Sequence, residues 1–199
     1  TSSQKISLAE INEIKALTNV QSAGIVSTIF MSIESITKIQ AYKEPLFSGS
    51  DSLLPLIVFE ASKLLKKYPI LNAYFDNNTI RMYNDINIGI ALDIDNGLKV
   101  YTIKDTAQLT MSSIEKSISI GVEHYLDRSL TPDQLTGSTF TITDLSSFGA
   151  SVVIPLINLN QAAILGVSCI DKKLNRVNLS LSFDHRVTEG NIASQFLLD

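Results

Sequence analysis

The sequence predicts an α+β domain: one mixed or antiparallel sheet with helices packed on one face. Two observations lead there. Strand patterns outnumber helical ones, and the helices fall between groups of strands instead of alternating regularly with them. No internal repeat or low-complexity linker interrupts the chain, so residues 1–199 read as a single domain.

The elements follow from periodicity and stop signals. Leu8, Ile11, Ile14 and Leu17 recur at helical spacing behind Ser7 and Glu10, predicting a capped helix over 7–19. Ile25–Ile33 alternates as a strand. Leu53–Lys67 carries Leu and Ile on one face and stops before Tyr68–Pro69, where proline disfavours helical backbone on the residue before it. Leu71–Phe75 and Ile80–Tyr83 flank Asp76–Asn77–Asn78, a hairpin turn; Asn87–Ile94 and Leu98–Ile103 flank Asp95–Asn96–Gly97 in the same way. Ser112–Arg128 sets Ile114, Ile118, Val122 and Tyr125 on one helical stripe. Ser138–Asp144, Ser151–Val153, Ala162–Ile170 and Arg176–Phe183 read as strands. Gly190–Leu198 begins a last helix that the chain cuts short.

Composition narrows the partners. The chain is 45% hydrophobic and 18% charged, more apolar than a typical soluble domain. Either apolar surface is buried against another subunit, or a large core lies under a Ser/Asn-rich exterior; composition alone favours the second. A net charge of −4 argues against a nucleic-acid partner, because Lys63–Lys67, the densest basic run, reads as the solvated edge of a helix. The single cysteine, Cys169, excludes an intrachain disulfide and a multi-cysteine metal site, and its apolar strand-like setting suggests a buried structural thiol. With no signal-like N-terminus and no apolar stretch long enough for a bilayer, the expectation is a soluble intracellular protein without a membrane partner. Thr1 in place of Met suggests a processed or excised fragment.

Two histidines make the search for chemistry short. His124 lies on the polar face of the helix predicted over 112–128, where an exposed or capping role is expected. His185 follows an alternating strand and sits in Asp184-His185-Arg186-Val187-Thr188-Glu189-Gly190, which delivers a titratable ring to a sheet edge or cleft. Read alone, such a histidine is more often structural.

The surrounding string changes that reading. Leu179 to Gly190 resembles the Asp-His-Arg-x-x-Asp-Gly signature of dihydrolipoamide acyltransferases, the cores of 2-oxo acid dehydrogenase complexes such as the pyruvate dehydrogenase complex. Gly137–Gly149 is similar to that family's Gly-Gly-Thr-Phe-Thr-Ile-Ser-Asn-Leu-Gly stretch, and Gln161–Ser168 to the strand after it. Lys66–Ala73, Ile86–Ala91 and Asn96–Leu98 match further segments, all in the family's order.

The resemblance implies a chloramphenicol acetyltransferase-like fold and a homotrimer with active sites at the subunit interfaces. It implies coenzyme A and a lipoyl group as substrates, a lipoyl domain and other subunits of the complex as partners, and no metal. His185 would take the proton of the attacking thiol, whose solution pKa leaves little thiolate at neutral pH. A hydroxyl would stabilise the tetrahedral oxyanion, an effect commonly worth ~3 kcal/mol. The family's serine for that task corresponds to Thr143 here, which keeps the donor but adds a methyl group. Glu189 stands where the family usually has Asp, in a supporting role. That aspartate commonly pairs with an arginine of the first helix, yet residues 7–19 contain no arginine, and the usual Pro-His before the first strand is absent near Gly24–Ile25.

Acyl transfer between dihydrolipoamide and coenzyme A is therefore the leading expectation, in a bacterial cytoplasm or mitochondrial matrix. A non-catalytic trimeric scaffold, suggested by the altered Thr143, Glu189 and missing arginine, stays open. So does an acyltransferase acting on another thiol carrier, such as acyl carrier protein. Because the chain stops at Asp199 inside its last helix, a trimer of roughly 65 kDa, three times 21.8 kDa, without a larger shell is expected.

Overall fold

The structure, a computed structural model, describes residues 26–34, 52–94 and 97–199. The helix expected over 7–19 lies outside them, as do Asp95 and Asn96 of the second turn. The strands are β1 (Val26–Glu34), β2 (Ala73–Asp76), β3 (Thr79–Met82), β4 (Ile88–Leu92), β5 (Lys99–Ile103), β6 (Phe140–Asp144), β7 (Ala163–Val167) and β8 (Arg176–Asp184). The helices are α1 (Leu54–Lys67), α2 (Met111–Leu126) and α3 (Gly190–Leu198).

Six strands form one mixed sheet in the order β1-β8-β7-β6-β4-β5. β4, β6 and β7 run parallel; β5 is antiparallel to β4, and β8 is antiparallel to both β7 and β1. β2 and β3 form a separate hairpin, turned by Asn77 and Asn78 at φ 46° and 61°. Asparagine tolerates that left-handed backbone better than most residues, so the turn forms where the sequence places it.

Period-two alternation gives the sheet two unlike faces. Val177, Leu179, Leu181 and Phe183 of β8, Leu165 of β7, Phe140 and Ile142 of β6 and Ile88 and Ile90 of β4 point into one core. α1 supplies Val58, Ala61 and Leu65 to that core, α2 Ile114 and Tyr125, and α3 Ala193 and Phe196. All three helices therefore pack on one face, as expected. α1 begins with proline in its first turn and has lost its helical backbone by Tyr68. α2 starts one residue earlier than the sequence suggests, because Thr110 accepts a hydrogen bond from the Ser113 N–H and acts as N-cap.

The opposite face is lined by small and polar groups, among them Ser180, Ser182, Thr28, Thr141 and Thr143. Residues 151–161 cross it. Ser151 does not begin a strand as predicted. Val153, Pro155 and Ile157 are buried against the sheet while Val152, Ile154 and Leu156 are exposed. Packing, not a strand partner, imposes that alternation. Asn158 Nδ2 donates to Thr141 Oγ1 at 2.9 Å, Thr141 Oγ1 donates to Gln161 Oε1 at 2.8 Å, and Gln161 Nε2 donates to Ser138 Oγ at 3.0 Å. The seam ties the crossing segment to β6.

Gly121 of α2 faces Tyr101 of β5 so closely that an added Cβ would sit 2.4 Å from a ring carbon. At an open helical site Gly→Ala stabilises by about 1 kcal/mol. Here the sign should reverse: Gly121→Ala is expected to destabilise by about 1 kcal/mol or more in urea denaturation, since overpacking costs about 1–3 kcal/mol. A raised midpoint would show that the Tyr101 ring can move aside.

Candidate active site

β8 carries His185 to the end of the sheet. Its last residue, Asp184, is 3% exposed, and its carboxylate holds Arg186 with Nε at 3.0 and 3.1 Å and Nη2 at 2.6 Å. The same Oδ1 accepts the Arg186 backbone N–H at 2.9 Å, and the Asp184 carbonyl accepts N–H groups from Val187 and Thr188 at 2.9 and 3.1 Å. These bonds bend the chain sharply past the strand and leave His185 exposed on the bend. The imidazole lies 4.9 Å from the Phe183 ring centroid, and its nitrogens have no hydrogen-bond partner among the described residues. Hydrogen bonds to Asp184, with its negative charge, hold the Arg186 guanidinium above its ordinary pKa despite partial burial.

Two other elements brace the bend. The Arg186 guanidinium carbon sits 4.7 Å from the centre of the Phe75 ring on β2, a cation–π contact. Val187 packs with Ala73 and Ala162 in a small cluster of its own, and the Asp184 N–H donates to the Ala162 carbonyl at 2.8 Å. Glu189 is exposed at the N-cap of α3 and its side chain makes no capping bond. It flanks the same turn as His185.

Thr143 is elsewhere. It pairs with Ala91 of β4 and Gly166 of β7, and Gly166 pairs with Ser180 of β8. Asp184 lies four residues beyond Ser180. The two ends are thus roughly 13 Å apart along the strands and roughly 10 Å across them, more than an imidazole can span. His185 and Glu189 flank one turn, and the His185 end of β8 stands far from Thr143.

Thr143 lines a recess of about 230 Å³ at the carboxyl ends of β4 and β6, with Ala91, Leu98 and Phe148 among its walls. Its hydroxyl has no hydrogen-bond partner among the described residues. Tyr125 steadies the recess from below: its hydroxyl accepts from the Ile94 N–H at 2.9 Å and donates to the Gly97 carbonyl at 3.1 Å, holding the two ends of the β4–β5 turn.

Two expectations need correction. His124 is half-buried rather than exposed: Gln134 Nε2 lies 3.0 Å from its Nδ1. Because Gln134 Oε1 already accepts from Thr131, the amide donates to Nδ1 and the imidazole proton sits on Nε2. The histidine ties a 3-10 turn to α2. Cys169 lies two residues past the end of β7 and is half-buried, not buried, with its N–H donating to the Ala150 carbonyl at 2.7 Å. The bracing by Asp184, Arg186 and Phe75 has only a partial local signal. Opposite charges two residues apart at a strand end point to a turn, but nothing near Phe75 in sequence announces its ring contact.

The family of 2-oxoacid dehydrogenase acyltransferases, through the model of its catalytic domain, matches residues 4–199. A curated relative, the dihydrolipoyllysine-residue succinyltransferase component of the 2-oxoglutarate dehydrogenase complex of Haemophilus influenzae, is 36% identical over 144 residues, covering 67% of this chain and 35% of that protein. Other curated relatives are likewise longer, and the chain spans between 27% and 55% of their lengths. Among solved structures, Azotobacter vinelandii dihydrolipoamide acetyltransferase superposes with a TM-score of 0.86 at 25% identity, over 99% of this chain and 89% of that one. Chloramphenicol acetyltransferase superposes at a TM-score of 0.59 and 11% identity, over 97% and 95% of the two chains, which shows the shared fold. The expected fold is therefore the observed one, and the chain belongs to the 2-oxoacid dehydrogenase acyltransferase family.

Proposed function

We propose that the protein transfers an acyl group between a dihydrolipoyl thiol and coenzyme A, with each active site formed between two copies of the chain. The observation that carries this reading is the placement of two hydrogen-bonding groups without partners among the described residues, the His185 imidazole and the Thr143 hydroxyl, at opposite ends of one sheet. A base and an oxyanion donor so far apart in one copy can act on one thioester only if a second copy supplies one of them. Phe148, Val152, Ile154, Leu156 and Leu159 are each at least 44% exposed and offer the apolar surface such a contact needs. A closed ring of three copies follows the family pattern.

In this reading His185 removes the thiol proton, the thiolate attacks the thioester carbonyl, and Thr143 donates a hydrogen bond to the oxyanion. When the tetrahedral species collapses, the protonated imidazole returns the proton to the departing thiol. The catalytic mechanism of the Azotobacter enzyme has been investigated through a serine, a histidine and an asparagine four residues after the histidine. Glu189 stands four residues after His185. We assign it a supporting role. A lipoyl domain and the other components of a 2-oxo acid dehydrogenase complex are the partners this activity requires, in a bacterial cytoplasm or mitochondrial matrix. The curated relatives include bacterial proteins and a plant protein named as mitochondrial.

His185→Ala and Thr143→Val should each lower acyl transfer from acetyl-CoA to dihydrolipoamide, the first by about 10²–10⁴-fold and the second by about 10²-fold. Unfolding the two inactive variants together and refolding them as a mixture should restore activity, because about a quarter of interfaces then join an intact His185 to an intact Thr143. No recovery in mixed oligomers would place the site within one copy. An inactive wild-type trimer would favour the scaffold.

Glu189→Gln is expected to cost no more than about tenfold in kcat. A loss as deep as that of His185→Ala would make Glu189 a participant in proton transfer.

Asp184→Asn keeps the shape but weakens the grip on Arg186. It should lower stability by about 1–3 kcal/mol in urea denaturation and reduce kcat more than KM. Unchanged kcat in a destabilised variant would show that the clamp serves the fold alone.

A further inference from the structure

We propose that the recess at the carboxyl ends of β4 and β6 holds the acyl group, and that it selects short uncharged aliphatic acyl groups against those ending in a carboxylate. The inference rests on the acyl-transfer reading above and adds to it a substrate class. Relatives of this chain act on different acyl groups by their names, a succinyltransferase at 36% identity and an acetyltransferase at 34%, so similarity does not choose between them.

The walls of the recess do. Thr143, whose hydroxyl has no partner among the described residues, opens onto it, so an oxyanion held there would place its acyl chain in the same space. About 230 Å³ accommodates a branched acyl group of four or five carbons, and Ala91, Leu98 and Phe148 give that chain apolar contacts. Asp93 and Asp144 are the only charged residues among the described lining. Lys99, beside Leu98 on β5, stands outside the lining. Asp144 Oδ1 accepts the Ser146 N–H at 2.9 Å, which fixes the direction of that carboxylate. An acetyl or isobutyryl group brings no charge to this recess and finds apolar contacts with Ala91, Leu98 and Phe148. A succinyl group would bring a third carboxylate beside two others with no cation among the described lining to offset it, and like charges in a partly desolvated recess repel strongly.

The test uses the purified oligomer, dihydrolipoamide as acceptor, and acetyl-, isobutyryl- and succinyl-CoA as donors. Acetyl- or isobutyryl-CoA should exceed succinyl-CoA in kcat/KM by about tenfold or more. Asp93→Asn combined with Asp144→Asn should raise the succinyl-to-acetyl ratio. Succinyl-CoA as the best donor, or a ratio unmoved by the double variant, would overturn the assignment while leaving acyl transfer intact. If none of the three thioesters is a donor, the acyl-transfer reading fails instead, and equilibrium binding of the same thioesters decides the recess. Weaker binding of succinyl-CoA than of isobutyryl-CoA supports its charge selectivity, and equal binding overturns it.

Discussion

Strand direction decides where the candidate side chains of this molecule stand. β6 and β7 run parallel, and β8 then turns antiparallel to β7. The carboxyl ends of β6 and β8 consequently lie at opposite edges of one sheet, and each edge receives one chemically useful side chain. Had β8 run with its neighbours, His185 and Thr143 would share an edge and one copy could hold both. Strand direction thus sets the distance between His185 and Thr143 within one copy of the chain.

Rigidity at the histidine end comes from several modest contacts acting on one short turn. The Asp184–Arg186 pair is 27% exposed on the arginine side, so its net contribution to stability is small next to that of a well-packed core residue. Its value is geometric. A planar fork bound to a buried carboxylate fixes the direction of the chain, Phe75 caps the fork, and Val187 plugs the small cluster behind it. The other end is built differently. Thr143 sits on a central strand flanked on both sides, where backbone pairing alone fixes its position and its side chain can stay uncommitted.

Much of the fold was legible because most elements carry their own periodicity. β8 alternates over its full length, and α2 shows its apolar stripe plainly, so their boundaries came within a residue or two. Residues 152–157 alternate in burial yet pair with no strand among the described residues. A sequence records which side chains are buried, not whether a ladder partner stands alongside. His124 was misjudged in exposure because its cover comes from Gln134, outside its own helix. His185 was legible only through the motif around it; the residue alone resembles any core histidine. The recess at Thr143 was not legible, because its walls come from the ends of separate elements and carry no shared pattern.

The pairing of β1 with β8 has a consequence for how the chain reaches its structure. Val26 lies against Asp184 and Glu34 against Arg176, so the first described strand waits for the last before either is complete. β8 also enters between β1 and β7 and not at an outer position. A growing chain leaving the ribosome can close the β4–β5 and β2–β3 hairpins early, since their partners are neighbours in sequence. The central sheet cannot close until residue 184 has emerged, and such non-local pairing makes folding slow. The strand that completes the sheet also leads directly into His185, so closing the sheet and placing that imidazole are a single event.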